Sequence, residues 1–61
     1  MKKKDIKIYS IEKIHEINDE INDINDMIKE LQDEQEKNIL YHYISRKIGE
    51  RNSYEDILTK L

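Results

Sequence analysis

The sequence predicts an all-α fold: a long amphipathic helix of the coiled-coil type, followed by one or two shorter helices, in an oligomeric helical bundle. Isoleucine recurs at alternating steps of four and three residues through the first half of the chain. The chain has no proline and only one glycine, so little interrupts helical structure. Its 61 residues are too few for a large core, and without cysteine the remaining means of stabilisation is association between copies.

The chain begins with a basic segment, which we interpret as a solvated tail over residues 1–9. Four lysines stand against one aspartate in residues 1–11. This start is similar in charge to a secretory signal, but no apolar run of about seven residues follows it. Nothing in the sequence is apolar over the length of a membrane span. We therefore expect a cytoplasmic protein that does not contact a membrane.

The first helix is predicted over residues 10–33 and is centred on the segment "INDEINDINDMI". Its triplet Ile-Asn-Asp repeats from Ile17, Ile21 and Ile24. Steps of four and three return to one side of an α-helix, whereas a strand would divide these residues between its two faces. Isoleucine at both core positions of the heptad favours three or four helices around one core. The predicted oligomer interface is the full seam: Ile14, Ile17, Ile21, Ile24, Ile28 and Leu31.

A second stripe on this helix consists of three aspartates, Asp19, Asp23 and Asp26. It is either a solvated face opposite the seam or a docking surface for a basic partner protein. A calcium loop needs ligands at alternate positions and a glycine for its sharp turn, but here the spacing is helical and the first glycine is Gly49. We therefore expect no metal site and no cofactor.

The segment "QDEQEKN", residues 32–38, interrupts the apolar seam. The next two heptad positions are Gln35 and Asn38, which are both polar. In one interpretation Asp33, with Glu36 three residues later, forms an acidic variant of the capping box and starts a new helix. In the other, one long helix continues through the segment and the two polar residues set its register. The sequence leaves both alternatives open.

A second helical segment is predicted over residues 34–48 and a short third helix over residues 53–61. The sole glycine, Gly49, is placed to end the second segment, since glycine is the residue most often found just beyond a helix C-terminus. Ser53 is then placed to cap the last helix. All these elements belong to one small domain, residues 1–61.

Charge divides the chain into three zones. The net charge is +3 in residues 1–11, −8 in residues 12–36 and +2 in residues 37–61, which together give −3. This layout favours antiparallel pairing of the acidic and basic segments, within one chain or between chains. The candidate basic patch consists of Arg46, Lys47 and Arg51.

Two stretches carry a resemblance to a known family. The segment "LQDEQEKNILYHYI", residues 31–44, together with "SYEDILTKL", residues 53–61, resembles the first part of the sigma region-4-type helix-turn-helix of small phage transcription regulators. The likeness covers about half of the chain. The spacer between the two stretches is several positions longer than is usual in that family, and no recognition helix follows within the 61 residues. The resemblance implies a phage-like or plasmid-like relative that lost its DNA-reading part, or a fragment that lacks it.

No pattern in the sequence points to catalysis. His15 and His42 lie far apart without a suitably spaced nucleophile, and no glycine-rich phosphate loop is present. We expect a non-enzymatic helical module that associates with itself and regulates a larger protein partner. The alternative is a nucleic-acid-binding regulator of helix-turn-helix descent, but the strongly acidic middle of the chain disfavours a duplex as the ligand.

Overall fold

The protein is an antiparallel hairpin of two long helices. A computed structural model describes residues 2–61; Met1, the first residue of the predicted tail, lies outside the described residues. Helix α1 spans Lys3–Glu30 and helix α2 spans Glu34–Lys60. The all-α prediction with a long first helix is confirmed. The hairpin is a rod of 47 × 14 × 14 Å, and within residues 2–61 neither helix is apolar over the length that a bilayer crossing requires.

Helix α1 begins much earlier than the sequence predicted, because most of the basic segment is helical. Lys2 is the N-cap in an extended conformation, and its side chain makes no capping hydrogen bond. Asp5 in the first turn complements the positive end of the helix dipole. Tyr9 packs edge-on against Tyr54 of α2, with ring centroids 6.1 Å apart. This contact between the helices stabilises helical structure where local propensity alone predicted a solvated tail.

A turn of three residues, 31–33, connects the two helices. Leu31 is extended, and its N–H donates to the carbonyl oxygen of Ile28 at 3.1 Å. Asp33 is the N-cap of α2, and its carboxylate accepts a hydrogen bond of 2.9 Å from the N–H of Gln35. The structure therefore has the broken helix, and not the continuous one, at this point. The cap satisfies one of the free N–H groups at the start of α2.

The core of the hairpin is the isoleucine seam of α1 covered by α2 of the same chain. Ile17, Ile21, Ile24 and Ile28 are buried against Ile44. The two ends of the predicted interface, Ile14 and Leu31, are half-buried. Three further side chains of α2 pack around this cluster: Leu40, Ile48 and Tyr54. The seam is thus occupied within a single chain, whereas the sequence predicted it as an interface between chains.

Helix α2 continues through Gly49, where the sequence predicted a stop and then a third helix. Gly49 does not have the positive φ of a helix-ending glycine. The Ser53 hydroxyl does not cap a new helix; it donates to the Gly49 carbonyl oxygen at 3.1 Å. Residues on both sides of Gly49 contact α1: Lys47 forms an ion pair with Glu20, and Arg51 donates a hydrogen bond to Asn18. These contacts hold α2 in one piece despite the weak helix propensity of glycine.

Replacing Gly49 with alanine is expected to stabilise the hairpin by about 1 kcal/mol, since alanine is the better helix former and loses less backbone entropy on folding. Nothing lies within 4 Å of the position that a Cβ atom would occupy, so no clash opposes the gain. Urea unfolding followed by circular dichroism measures the change. Unchanged or lower stability of Gly49→Ala would show that the glycine has a conformational role.

Candidate functional site

The acidic stripe lies on the outside of α1. Asp19, Asp23 and Asp26 are all exposed, and at about 100° per residue they project away from the seam that contacts α2. Asp26 forms a long ion pair of 3.8 Å with Lys29, which is itself largely exposed. Among residues 2–61 no three acidic or histidine side chains converge on a point where they could hold a metal ion. The stripe is therefore a surface of negative charge open to solvent.

The three residues of the candidate basic patch do not form one surface. The Lys47 ammonium lies 2.9 Å from the Glu20 carboxylate and 3.7 Å from that of Glu50. The hydrogen bond to Glu20 is the main reason that the pKa of Lys47 is raised above its ordinary value of 10.5, against the opposing effect of its partial burial. Arg46 is exposed, on the outer side of α2.

Arg51 is directed into the contact between the helices. Its guanidinium donates to the side-chain oxygen of Asn18 at 2.9 Å, and its Nε lies 3.8 Å from the Glu55 carboxylate. Only 30% of the side chain is exposed. Two of the three basic residues are therefore engaged in contacts between the helices of the hairpin instead of presenting charge to phosphates.

A cavity of about 390 Å³ opens at the end of the hairpin opposite the turn. The Ser10 hydroxyl beside it is buried without a hydrogen-bond partner among the described residues. Ser10 is four residues before Ile14 and occupies the next heptad position of the seam toward the N-terminus. Its small side chain leaves space between the helices. The lining residues are Asp5, Ile6, Tyr9, Ser10, Tyr54 and Ile57.

Large apolar side chains also remain exposed outside the core. Within residues 2–61, nine of them are at least 38% exposed: Ile8, Tyr9, Ile11, Met27, Ile39, Tyr41, Tyr43, Ile57 and Leu61. At about 100° of rotation per residue, six of these side chains project from the side of the hairpin that carries the Glu20–Lys47 ion pair. We call this side the apolar face, and define it by these six residues: Tyr9 and Met27 of α1, with Ile39, Tyr43, Ile57 and Leu61 of α2.

The opposite side of the hairpin is polar along its middle. It carries Asn18, Asn22 and Asn25, the second stripe of the repeated triplet. Its exposed aromatic residue is Tyr41, two positions from Tyr43 and roughly 160° away around α2. Exposed Ile11 also lies on this side, and the apolar face carries charged side chains such as Glu20 and Lys47, so the two sides differ in how many large apolar side chains they expose.

Sequence reasoning from the heptad seam missed the apolar face, although a signal for it exists. Tyr9 and Met27 are 18 residues apart, as are Ile39 and Ile57, and also Tyr43 and Leu61. Eighteen residues make about five turns of an α-helix, so the two members of each pair lie on one side, about 27 Å apart. The pattern of apolar residues on this face is visible only at a period of 18 residues, because charged residues occupy the helical turns between the two members of each pair.

No protein-family model, curated protein or solved structure matches the chain. The two stretches that resemble the sigma region-4-type regulators, residues 31–44 and 53–61, lie in the turn and in the single helix α2. In the structure they are not separated into the two helices that the resemblance implies.

Proposed function

We propose that this protein is a non-enzymatic helical interaction module, which associates with itself and uses the assembly to regulate a larger protein partner. The observation that carries the proposal is the apolar face: of the nine large apolar side chains that are exposed in the described part of the chain, six lie on one side of the rod. Scattered exposed apolar residues are normal on a monomer, but a concentration on one face is typical of a protein–protein interface.

The surface area of the hairpin supports self-association. Its solvent-accessible surface is 4986 Å². A compact monomer of 7.5 kDa would expose only about 4,250 Å² according to the scaling of surface with mass. The difference of roughly 700 Å² is close to the approximately 800 Å² per partner that a standard interface buries. Pairing two rods side by side removes this excess.

The arrangement of the core also fits an assembly of hairpins. Helix α2 of the same chain already covers the isoleucine seam of α1. Self-association must therefore add the helices of a second copy beside α1 and α2 without displacing either of them. Two hairpins together give four helices, which is within the range that isoleucine at both core positions of a heptad favours. The core of five isoleucines in one hairpin is small for a stable isolated domain.

The acidic stripe supplies the surface for the larger partner in this proposal. Asp19 and Asp26 lie on the outer side of α1, so self-association through the apolar face leaves them accessible, whereas Asp23 is one turn from Met27 at the edge of that face. A basic protein surface is the complement of three exposed carboxylates, and such complementarity directs association.

The test of self-association is the mass of the wild-type protein measured by light scattering after gel filtration, over micromolar concentrations. We expect twice the chain mass of 7.5 kDa. A folded monomer throughout this range would overturn the proposed self-association.

A further inference from the structure

We propose that the cavity at the open end of the hairpin binds a small, uncharged aromatic molecule with one hydrogen-bond donor, and that the Ser10 hydroxyl accepts this bond. The site lies within a single chain, so it goes beyond the proposed function and does not depend on self-association. Three features support it: the size of the cavity, the unpartnered hydroxyl beside it, and the charges around its mouth.

The cavity exists because the isoleucine seam of α1 does not continue to the end of the hairpin. Ile14, Ile17 and Ile21 follow the seam toward the turn, whereas the next position toward the N-terminus is Ser10. The space there is about 390 Å³ and is partly open to solvent. An apolar cavity of about 150 Å³ is large enough for benzene, and small-molecule sites begin at roughly 300 Å³. A molecule of one or two aromatic rings therefore fits the space.

The wall of the cavity is almost entirely apolar and partly aromatic. Tyr9 and Tyr54 contribute the two rings that pack edge-on, and Ile6 and Ile57 contribute aliphatic surface. Aromatic rings prefer edge-to-face or offset contacts with one another, so a further ring can pack against this pair. It would also cover part of Ile57, which is 40% exposed. The wall therefore favours a flat aromatic ligand.

The Ser10 hydroxyl is the polar group that orients the ligand. Ser10 is 1% exposed, and its Oγ has no hydrogen-bond partner among residues 2–61. A buried hydroxyl without a partner costs free energy, and a serine in a helix can avoid that cost by donating to a carbonyl of the preceding turn. A ligand that donates a hydrogen bond to the Ser10 Oγ removes the cost. A purely apolar ligand does not.

The charges around the cavity favour an uncharged ligand. The Asp5 side chain is part of the lining, and its carboxylate repels an anion. The Lys13 ammonium lies 5.5 Å from the centroid of the Tyr9 ring, where it occupies the position that a cationic ligand would take over that ring. An anion and a cation are therefore both disfavoured relative to a neutral molecule of the same shape.

The probe for this site is indole, an uncharged molecule of two fused rings with one N–H donor. A two-dimensional NMR titration of the isotopically labelled wild-type protein measures the dissociation constant and locates the site. We expect saturable shifts concentrated at the amides of residues 5–10 and 54–57. An indole carboxylate, which keeps the N–H and adds a negative charge, is expected to bind at least tenfold more weakly. Without saturable shifts at these residues, or with equal binding of the two probes, the proposal would be overturned.

Two serines provide a matched pair of variants. Ser10→Ile extends the isoleucine seam into the cavity, whereas Ser45→Ile adds the same side chain at an exposed position of α2. We expect Ser10→Ile to abolish the binding of indole and Ser45→Ile to change its dissociation constant less than twofold. Ser10→Ile is also expected to melt above the wild type, because an apolar side chain replaces a buried, unpartnered hydroxyl. Binding that persists in a folded Ser10→Ile variant would place the ligand elsewhere and overturn the assignment.

The role of the hydroxyl is tested by Ser10→Ala, which leaves the cavity open and serves alone if Ser10→Ile does not fold. We expect Ser10→Ala to bind indole about fivefold more weakly than the wild type does. N-methylindole has no donor and should bind the two proteins equally. Equal binding of indole to both proteins would overturn the role of Ser10.

The outcomes also separate this site from the proposed function. A wild-type monomer that binds indole would contradict the proposed self-association alone. A dimer that does not bind indole would overturn the ligand site alone.

Discussion

The Ile24→Asp variant is expected to be unfolded under conditions in which the wild-type protein is fully helical. Ile24 is 8% exposed in the middle of the seam, where it packs among the other isoleucines against Ile44. Aspartate there would remove an apolar side chain from the core and bury a carboxylate among isoleucine side chains. The expected loss of several kcal/mol is comparable to the whole stability of a small domain.

Far-ultraviolet circular dichroism measures this loss, and the neighbouring position supplies the control. Asn25→Asp introduces the same carboxylate one residue later, on the exposed side of α1. That variant is expected to remain as helical as the wild type, because its charge stays in water. A cooperative thermal transition in Ile24→Asp near the wild-type midpoint would contradict the burial of the seam.

Reversal of the acidic stripe is expected to abolish binding to the protein partner without unfolding the hairpin. Changing Asp19, Asp23 and Asp26 to lysine alters the net charge from −3 to +3. Each change replaces an attraction to a basic surface by a repulsion and costs about 1 kcal/mol in total, so the three together weaken binding on the order of a hundredfold. The side chains are exposed and outside the core, so circular dichroism should be unchanged.

The partner is first identified by co-purification with the tagged wild-type protein from its native host, and calorimetry then gives the affinity of each variant. The control reverses three acids of α2, with the same change in net charge: Glu36, Glu55 and Asp56. We expect the control to retain most of the affinity. If both triple variants lose it equally, net charge and not the stripe directs the binding.

The fold could be predicted from the sequence wherever one element carries a strong local signal. The repeated triplet specifies the helix and the buried side of α1, since steps of four and three residues have no other regular interpretation. Asp33 is a good N-cap within the segment where the seam loses its phase, but the sequence left open whether a new helix starts there. The residues of the acidic stripe share the helical period of the seam, and all three are exposed in the structure.

The remaining features depend on contacts that the local pattern does not contain. The seam shows that a face is buried, but not whether α2 or another chain covers it. The helical state of residues near Tyr9 depends on Tyr54, which is 45 positions away. The continuity of α2 through Gly49 depends on contacts on both sides of it, which override the weak propensity of glycine. Which acid meets Lys47 follows from the register of the two helices, and this is set by the turn.

The short turn at residues 31–33 determines the order in which the hairpin can close. Partners near the turn are close in sequence, whereas Asn18 and Arg51 are 33 residues apart and Tyr9 and Tyr54 lie still further from each other. The entropy lost on joining two residues grows with the length of chain between them, and every contact already made shortens that length for the next. We therefore expect the helices to zip together from the turn outward. The Tyr9–Tyr54 end forms last and opens first, which leaves its amide hydrogens the least protected from exchange with solvent.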